Sequence, residues 1–277
     1  MADQYNGNSG LHLVSDYNQD STKQEFDGAQ SMYRTASSSY QGSDSYFDEP
    51  YQAPYQTAGQ DSIAGIMTGS FMYMFIALLV TGITAVVTVS SPTLLSALFS
   101  SSATFTMIFV VELVVVLAAN AAMSHNNVVL SAVLFFTYAI VNGLTFSVIF
   151  LAYTSSSIEQ AFFSTAVVFG LMALIGKVTD KDLTSIGSIL LVGLLAVLLV
   201  SVVNIFIGSS AVDMAVTVVT IIIFLGLTAY DTQKIKKMAA SNAGYSPAVI
   251  SLWGAMELYL DFVNLFLRIL RLMGKRK

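Results

Sequence analysis

Two aspartates stand in places where a carboxylate is expensive. Asp231 closes the apolar run Phe224-Leu225-Gly226-Leu227-Thr228-Ala229-Tyr230, and Asp261 lies inside Glu257-Leu258-Tyr259-Leu260-Asp261-Phe262-Val263-Asn264-Leu265-Phe266. Both runs are apolar enough to cross or abut a bilayer. A carboxylate there costs roughly 2.5–3.5 kcal/mol on insertion scales, so it needs a partner, a proton or a water-filled cavity. In the last run Glu257, Asp261, Asn264 and Arg268 follow at i, i+4, i+7 and i+11. On a helix these span about 60° of arc, one narrow polar face on an otherwise apolar rod. Such a helix belongs inside a bundle, with its stripe against other helices or a cavity. In the preceding run Asp213, Thr217, Thr220, Thr228 and Asp231 also share a face, so facing stripes would bring Asp231 and Asp261 together.

Two carboxylates in a low-dielectric site cannot both ionise cheaply, and they share one proton. The shared proton would hold the two helices by a hydrogen bond. Its loss would leave like charges that repel each other and attract a cation. The alternative is that each aspartate simply caps or hydrogen-bonds a neighbouring helix. Glu112 is a third carboxylate in an apolar run, either functional or a satisfied interhelical acceptor. Asn120, Asn142 and Asn204 read as interhelical hydrogen bonders, and His125 as a solvated loop residue.

The elements that must position these groups are transmembrane helices. The chain is 55% hydrophobic and 10% charged, against about 25% charged in a soluble domain. From Ile66 onward, spans long enough for about 30 Å of hydrocarbon run approximately over Ile66–Val89, Phe105–Met123, Val128–Tyr153, Ala161–Gly176, Ile186–Ile207, Met214–Tyr230 and Ala248–Met273. The breaks carry turn chemistry, as in Ser90-Ser91-Pro92, His125-Asn126-Asn127 and Gly208-Ser209-Ser210. Span lengths favour helices over barrel strands of about ten residues. Small residues inside the spans, Gly82, Ala118, Gly143, Gly170, Gly193 and Gly226, suit close packing in lipid. The expected fold is all-α, a seven-helix membrane body over residues 62–277 behind a disordered acidic tail over residues 1–61.

Charge is divided along the same boundary. Residues 1–61 hold nine Asp and Glu against Lys23 and Arg34. That stretch is too polar to bury a core. No basic patch exists beyond Lys275-Arg276-Lys277, which excludes nucleic acid as a partner. Cysteine is absent, so thiolate and disulfide chemistry are excluded. Lys177 and Lys181 lie between spans four and five, and Lys234, Lys236 and Lys237 between spans six and seven, whereas the loops after spans one, three and five carry no Lys or Arg. The positive-inside rule puts the basic loops and the N-terminal tail in the cytoplasm. Arg268, Arg271 and the basic terminus also ask for that side, yet seven full crossings place them opposite. Either the last segment is re-entrant or the rule is broken there.

The motif Thr228-Ala229-Tyr230-Asp231-Thr232-Gln233-Lys234-Ile235 resembles the Bax inhibitor-1 (transmembrane BAX inhibitor motif) family, in its bacterial branch. Leu258-Tyr259-Leu260-Asp261-Phe262-Val263-Asn264-Leu265-Phe266 is similar to that family's closing motif, and Thr179-Asp180-Lys181-Asp182-Leu183 and Val203-Asn204-Ile205-Phe206 also fit. The resemblance implies a seven-helix bundle with a central last helix wrapped by the other six. It implies a pH-sensitive calcium leak in a bacterial plasma membrane, governed by Asp231 and Asp261 as sensors and transient Ca²⁺ ligands, with Glu112 at the family's acidic position in the second helix. It carries no cofactor. The family's bacterial members have an arginine at the end of the second helix that bonds the first aspartate. This chain has no Lys or Arg between Arg34 and Lys177, and Met123, Ser124 and His125 stand at that place. A closed state here must be held by other groups.

Three function classes follow. The first is a passive proton-gated cation leak. The second is a non-transporting regulator that binds a membrane protease or another membrane complex through its long tail. The third, an intramembrane hydrolase using the aspartates as a dyad, is disfavoured, and the chain reads as a non-enzyme. Oligomeric state is not legible in the sequence.

Overall fold

The computed structural model describes residues 54–98, 100–241 and 244–277. The expected tail lies outside the described residues up to residue 53. The body is built from eight helices: α1 (Pro54–Ser90), α2 (Pro92–Leu98), α3 (Ser102–Ser124), α4 (Val128–Ala152), α5 (Ser155–Val178), α6 (Thr184–Ile207), α7 (Ser210–Ala240) and α8 (Pro247–Met273). All but the short α2 contain a stretch long and apolar enough to cross a membrane.

Local chemistry sets the boundaries. Ser101, Asn127, Ser209 and Ser246 cap the N-termini of α3, α4, α7 and α8, each side chain accepting a first-turn backbone N–H. Asn126, with φ of 55°, turns the chain between α3 and α4, and Gly208, with φ of 69°, ends α6. Three helices extend beyond their apolar runs. α1 starts at Pro54, so the last eight residues assigned to the tail are helical. α5 starts at Ser155, six residues before the apolar run at Ala161. α7 continues to Ala240, ten residues past Tyr230. Hydropathy marks where lipid contact ends, while the helix continues through polar residues that water or neighbours solvate.

α8 is the axis of the bundle. Within its membrane-crossing window 78% of residues are buried, against 39% or less in every other span. α1, α3, α4, α5 and α7 pack against it, and α6 joins the ring by packing against α7. None of the α6 window is buried, and Ile205 and Phe206 at its end point into the surroundings. The core around α8 is aromatic: Phe262 meets Phe162 and Phe169 edge-on, and Tyr259 meets Phe135 and Tyr138 likewise.

Glycines divide into two groups. At Gly143, Gly176, Gly187 and Gly226 an added Cβ would strike a neighbouring helix, whereas at Gly82 and Gly170 it would meet nothing within 4 Å, and at Gly193 it would make only an ordinary contact. Close packing therefore explains Gly143 and Gly226 but not Gly82, Gly170 or Gly193.

The route of the last segment is resolved. α8 is one unbroken helix and is not re-entrant. Ser246, before its start, donates its N–H to Asn126 in the α3–α4 turn. Past its end, Lys277 donates to the Ala152 carbonyl, Thr154 donates to the Lys275 carbonyl, and Tyr153 pairs with Arg276 in an antiparallel bridge. The basic terminus thus sits beside the α4–α5 turn, on the face opposite Lys177, Lys181 and Lys237.

Candidate functional site: a carboxylate cluster between α7 and α8

The two polar stripes face each other along the α7–α8 seam. Asp231 projects from α7 and Asp261 from α8, and their carboxyl groups lie within hydrogen-bonding reach. Asp261 is 4% exposed. A carboxylate can only accept, so two adjacent carboxyls are joined by a hydrogen bond only when one of them carries a proton. Asp261 Oδ2 is buried with no hydrogen-bond partner among the described residues. Thr228, one turn before Asp231, donates its hydroxyl to the Phe224 carbonyl at 2.7 Å and also reaches Asp261. Thr217, Thr220 and Thr232 likewise bond back to the carbonyl one turn earlier, which leaves their oxygens as acceptors along the seam.

The cluster contains two further charges. Glu257, one turn before Asp261, forms an ion pair with Lys234, and Lys234 also faces Asp231. The second oxygen of Glu257 is buried and unpartnered among the described residues. Two carboxyl groups, Glu257 and Asp231, thus face one ammonium, and Asp261 adjoins both of them. Lys234 supplies the cation that the second span lacks: Met123 is buried in the apolar core, while Ser124 and His125 are exposed and bond to the carbonyl of Ala121. Sequence reasoning counted Lys234 only as a marker of the basic side. The signal was its spacing, one turn after Asp231 on the same face. Among the described residues no group of three or more His, Cys, Asp or Glu side chains is arranged to hold a metal ion.

Toward the C-terminal face the stripe opens into a cavity of about 510 Å³ lined by Asn204, Ser209, Asp213, Arg268 and Arg271, among others. Arg271 is ion-paired to Asp213. Arg268 forms no ion pair among the described residues. Asn264, between Arg268 and Asp261, donates to the Leu260 carbonyl at 2.8 Å. Toward the opposite face, Gln233 accepts the Leu183 N–H at 2.9 Å and donates to the Lys181 carbonyl at 2.8 Å, fastening the α5–α6 loop to α7. Lys237 pairs with Asp182 in that loop. That contact, with the hydroxyl and N–H of Thr184, holds the Asp182 carboxyl well below the usual carboxylate range.

Glu112 is not brought to the aspartates. It accepts the Thr145 hydroxyl at 2.8 Å and lies near Tyr138 and Tyr259, in a separate polar group of α3, α4 and α8. There Tyr259 bonds the Thr81 hydroxyl at 2.7 Å and reaches Asn142. Among the described residues, Asn142 accepts from Thr145 of its own helix and lies near Tyr259 of α8, Asn120 bonds the Val116 carbonyl of its own helix, and Asn204 bonds the backbone of Ser209 just past it.

Seven apolar helices, a buried axial helix and paired intramembrane aspartates define a polytopic membrane protein of all-α class. The chain matches the family described as "Inhibitor of apoptosis-promoting Bax1" over residues 64–277, and it belongs to that family, the Bax inhibitor-1 family. It is 36% identical over 214 residues to the inner membrane protein YbhL of Escherichia coli strain K12, covering 76% of this chain and 92% of YbhL. It is 38% identical over 209 residues to an uncharacterized protein of Rickettsia prowazekii, covering 75% of this chain and 88% of that one. A Borreliella burgdorferi protein is 35% identical over 212 residues, covering 75% and 90%.

Proposed function

We propose that the protein is a passive cation leak gated by the proton that Asp231 and Asp261 share, with Ca²⁺ as a permeant ion. The observation that carries this reading is the contact of two carboxyl groups on facing helices at a buried position, one oxygen of which has no partner among the described residues. Buried carboxylates are costly unless they are used, and hard divalent cations require oxygen ligands. With the proton in place the pair ties α7 to α8. Without it, two anions beside Glu257 repel each other, and Lys234 alone cannot neutralise all three. The seam then opens toward the cavity at Arg268, and the separated carboxylates offer oxygens to a passing cation. The charged groups facing the pair are Glu257 and Lys234. In the membrane, the positive-inside rule favours a cytoplasmic side for Lys177, Lys181 and the N-terminus, and seven crossings then carry the basic C-terminus outside against that rule.

The sign of the pH effect follows from the latch. The closed form holds the proton, so flux rises as pH rises. In liposomes carrying the purified protein, Ca²⁺ entry at pH 8 should exceed that at pH 6. One titrating proton allows at most about a tenfold change per pH unit, so the ratio should not exceed about 100. Asp231→Asn and Asp261→Asn should each flatten the response, because an amide donates to the remaining carboxylate at every pH. A pH dependence unchanged in both variants would refute the latch. Absence of flux from folded protein at any pH would refute the leak and favour a regulatory role in which the acidic N-terminal segment engages another membrane protein.

A further inference from the structure

A groove runs down the outside of the bundle between α1 and α5, which do not pack against each other. Its floor is Phe262 of α8, its volume is about 390 Å³, and every residue lining it except Lys177 is apolar. The α5 wall, from Phe162 to Lys177, is about 22 Å long at 1.5 Å per residue, more than the roughly 15 Å of hydrocarbon in one leaflet. Lys177 stands at the end nearest the membrane surface. Near it, Lys236 of α7, which does not line the groove, donates its ammonium to the Lys177 backbone carbonyl at 3.1 Å, which brings a second cation to this end of α5. Lys177 forms no ion pair among the described residues.

We propose that this groove is a binding site for an anionic phospholipid, with one acyl chain lying along Phe162, Phe169 and Phe262 and the phosphate held by Lys177 and Lys236. Two observations select this occupant. The first is length. The apolar α5 wall, about 22 Å long, exceeds the roughly 15 Å of hydrocarbon in one leaflet, so an extended acyl chain can lie along it over its whole depth. The second is charge, since a basic mouth on an apolar slot matches a lipid with a negative headgroup. Gly170 keeps the slot open. It lies on the α5 wall, and a Cβ there would meet no protein atom within 4 Å. Six residues on, Gly176 is fixed by contact with Ala229 of α7, which makes Gly170 a wall residue and not a packing residue. The seated chain rests on Phe262, next to Asp261, but its binding is independent of whether the aspartates gate a flux.

The test is native mass spectrometry of the full chain released from bilayers of equal dioleoyl phosphatidylglycerol and dioleoyl phosphatidylcholine. The wild type should retain one phosphatidylglycerol, at least about fivefold in preference to phosphatidylcholine. Lys177→Gln with Lys236→Gln should abolish the preference. Gly170→Trp should remove the retained lipid of either kind, with helicity and elution volume unchanged to show that the variant folds. A retained lipid untouched by Gly170→Trp would overturn the proposal by locating it elsewhere, for instance at Arg268 and Arg271. Equal retention of both lipids by the wild type would overturn the anionic assignment. A lipid-free dimer lost in Gly170→Trp would overturn it in favour of a second copy of the chain.

Discussion

Removing the single cation of the carboxylate cluster should destabilise the fold in a way that removing its partner repairs. Lys234 pairs with Glu257, their side chains 37% and 20% exposed, so the pair stands between two regimes. Exposed pairs contribute about 0–1 kcal/mol, whereas breaking a fully buried pair costs about 3–5 kcal/mol because the orphaned charge stays desolvated. Lys234→Met should therefore cost about 1–3 kcal/mol, since it leaves Glu257, Asp231 and Asp261 with no cation among them. At about 2–4 °C per kcal/mol for a body of this size, the midpoint of thermal unfolding in detergent should fall by roughly 3–10 °C. The double variant Lys234→Met with Glu257→Met should recover at least half of that loss, because the unpaired carboxylate is gone. Thermal unfolding of the four proteins in a double-mutant cycle measures the coupling directly. Strictly additive losses would refute the claim that Lys234 serves this cluster.

Other outcomes follow from the packing and the charges. Gly176→Ala should destabilise the protein, because its Cβ would strike the Ala229 backbone, which cannot rotate away. Gly170→Ala meets open space and should be neutral or stabilising by up to about 1 kcal/mol; thermal unfolding of the two alanine variants compares them. Arg268 lines the cavity at the C-terminal face without an ion-pair partner among the described residues. A fixed positive charge there opposes cation entry, so Arg268→Gln should raise Ca²⁺ flux by roughly 4–20-fold, from about 0.8–1.7 kcal/mol of repulsion on a divalent ion at about 10 Å and an effective dielectric of about 40–80. That gain should shrink in high salt.

Much of this architecture was legible because lipid imposes a simple grammar. Apolar runs of crossing length marked all seven spans, the i, i+4, i+7, i+11 spacing of Glu257, Asp261, Asn264 and Arg268 marked α8 as a helix of the bundle interior, and the family resemblance implied that it is the central one. The facing stripes brought Asp231 and Asp261 together as their spacing suggested. Helix ends were less legible, because Ser155–Gln160 and Asp231–Ala240 are polar yet remain helical where water or neighbours solvate them. The positive-inside rule conflicted with the basic C-terminus, and only the pairing of Lys275 and Lys277 with the α4–α5 turn put the terminus on its face. The position of Glu112 was illegible for a related reason. A lone carboxylate on α3 does not announce which neighbour it meets, and Thr145, not an aspartate, turned out to be its partner. Lys234 was overlooked because a lysine near a span end reads as topology before it reads as chemistry.

The central claim is that one proton is shared between Asp231 and Asp261, and infrared difference spectroscopy of the protein in bilayers between pH 6 and pH 8 addresses it most directly. The account predicts a single protonated carboxyl band that disappears as pH rises and is absent from both Asp231→Asn and Asp261→Asn. A band that survives in either variant, or two carboxyl bands that titrate independently, would contradict it.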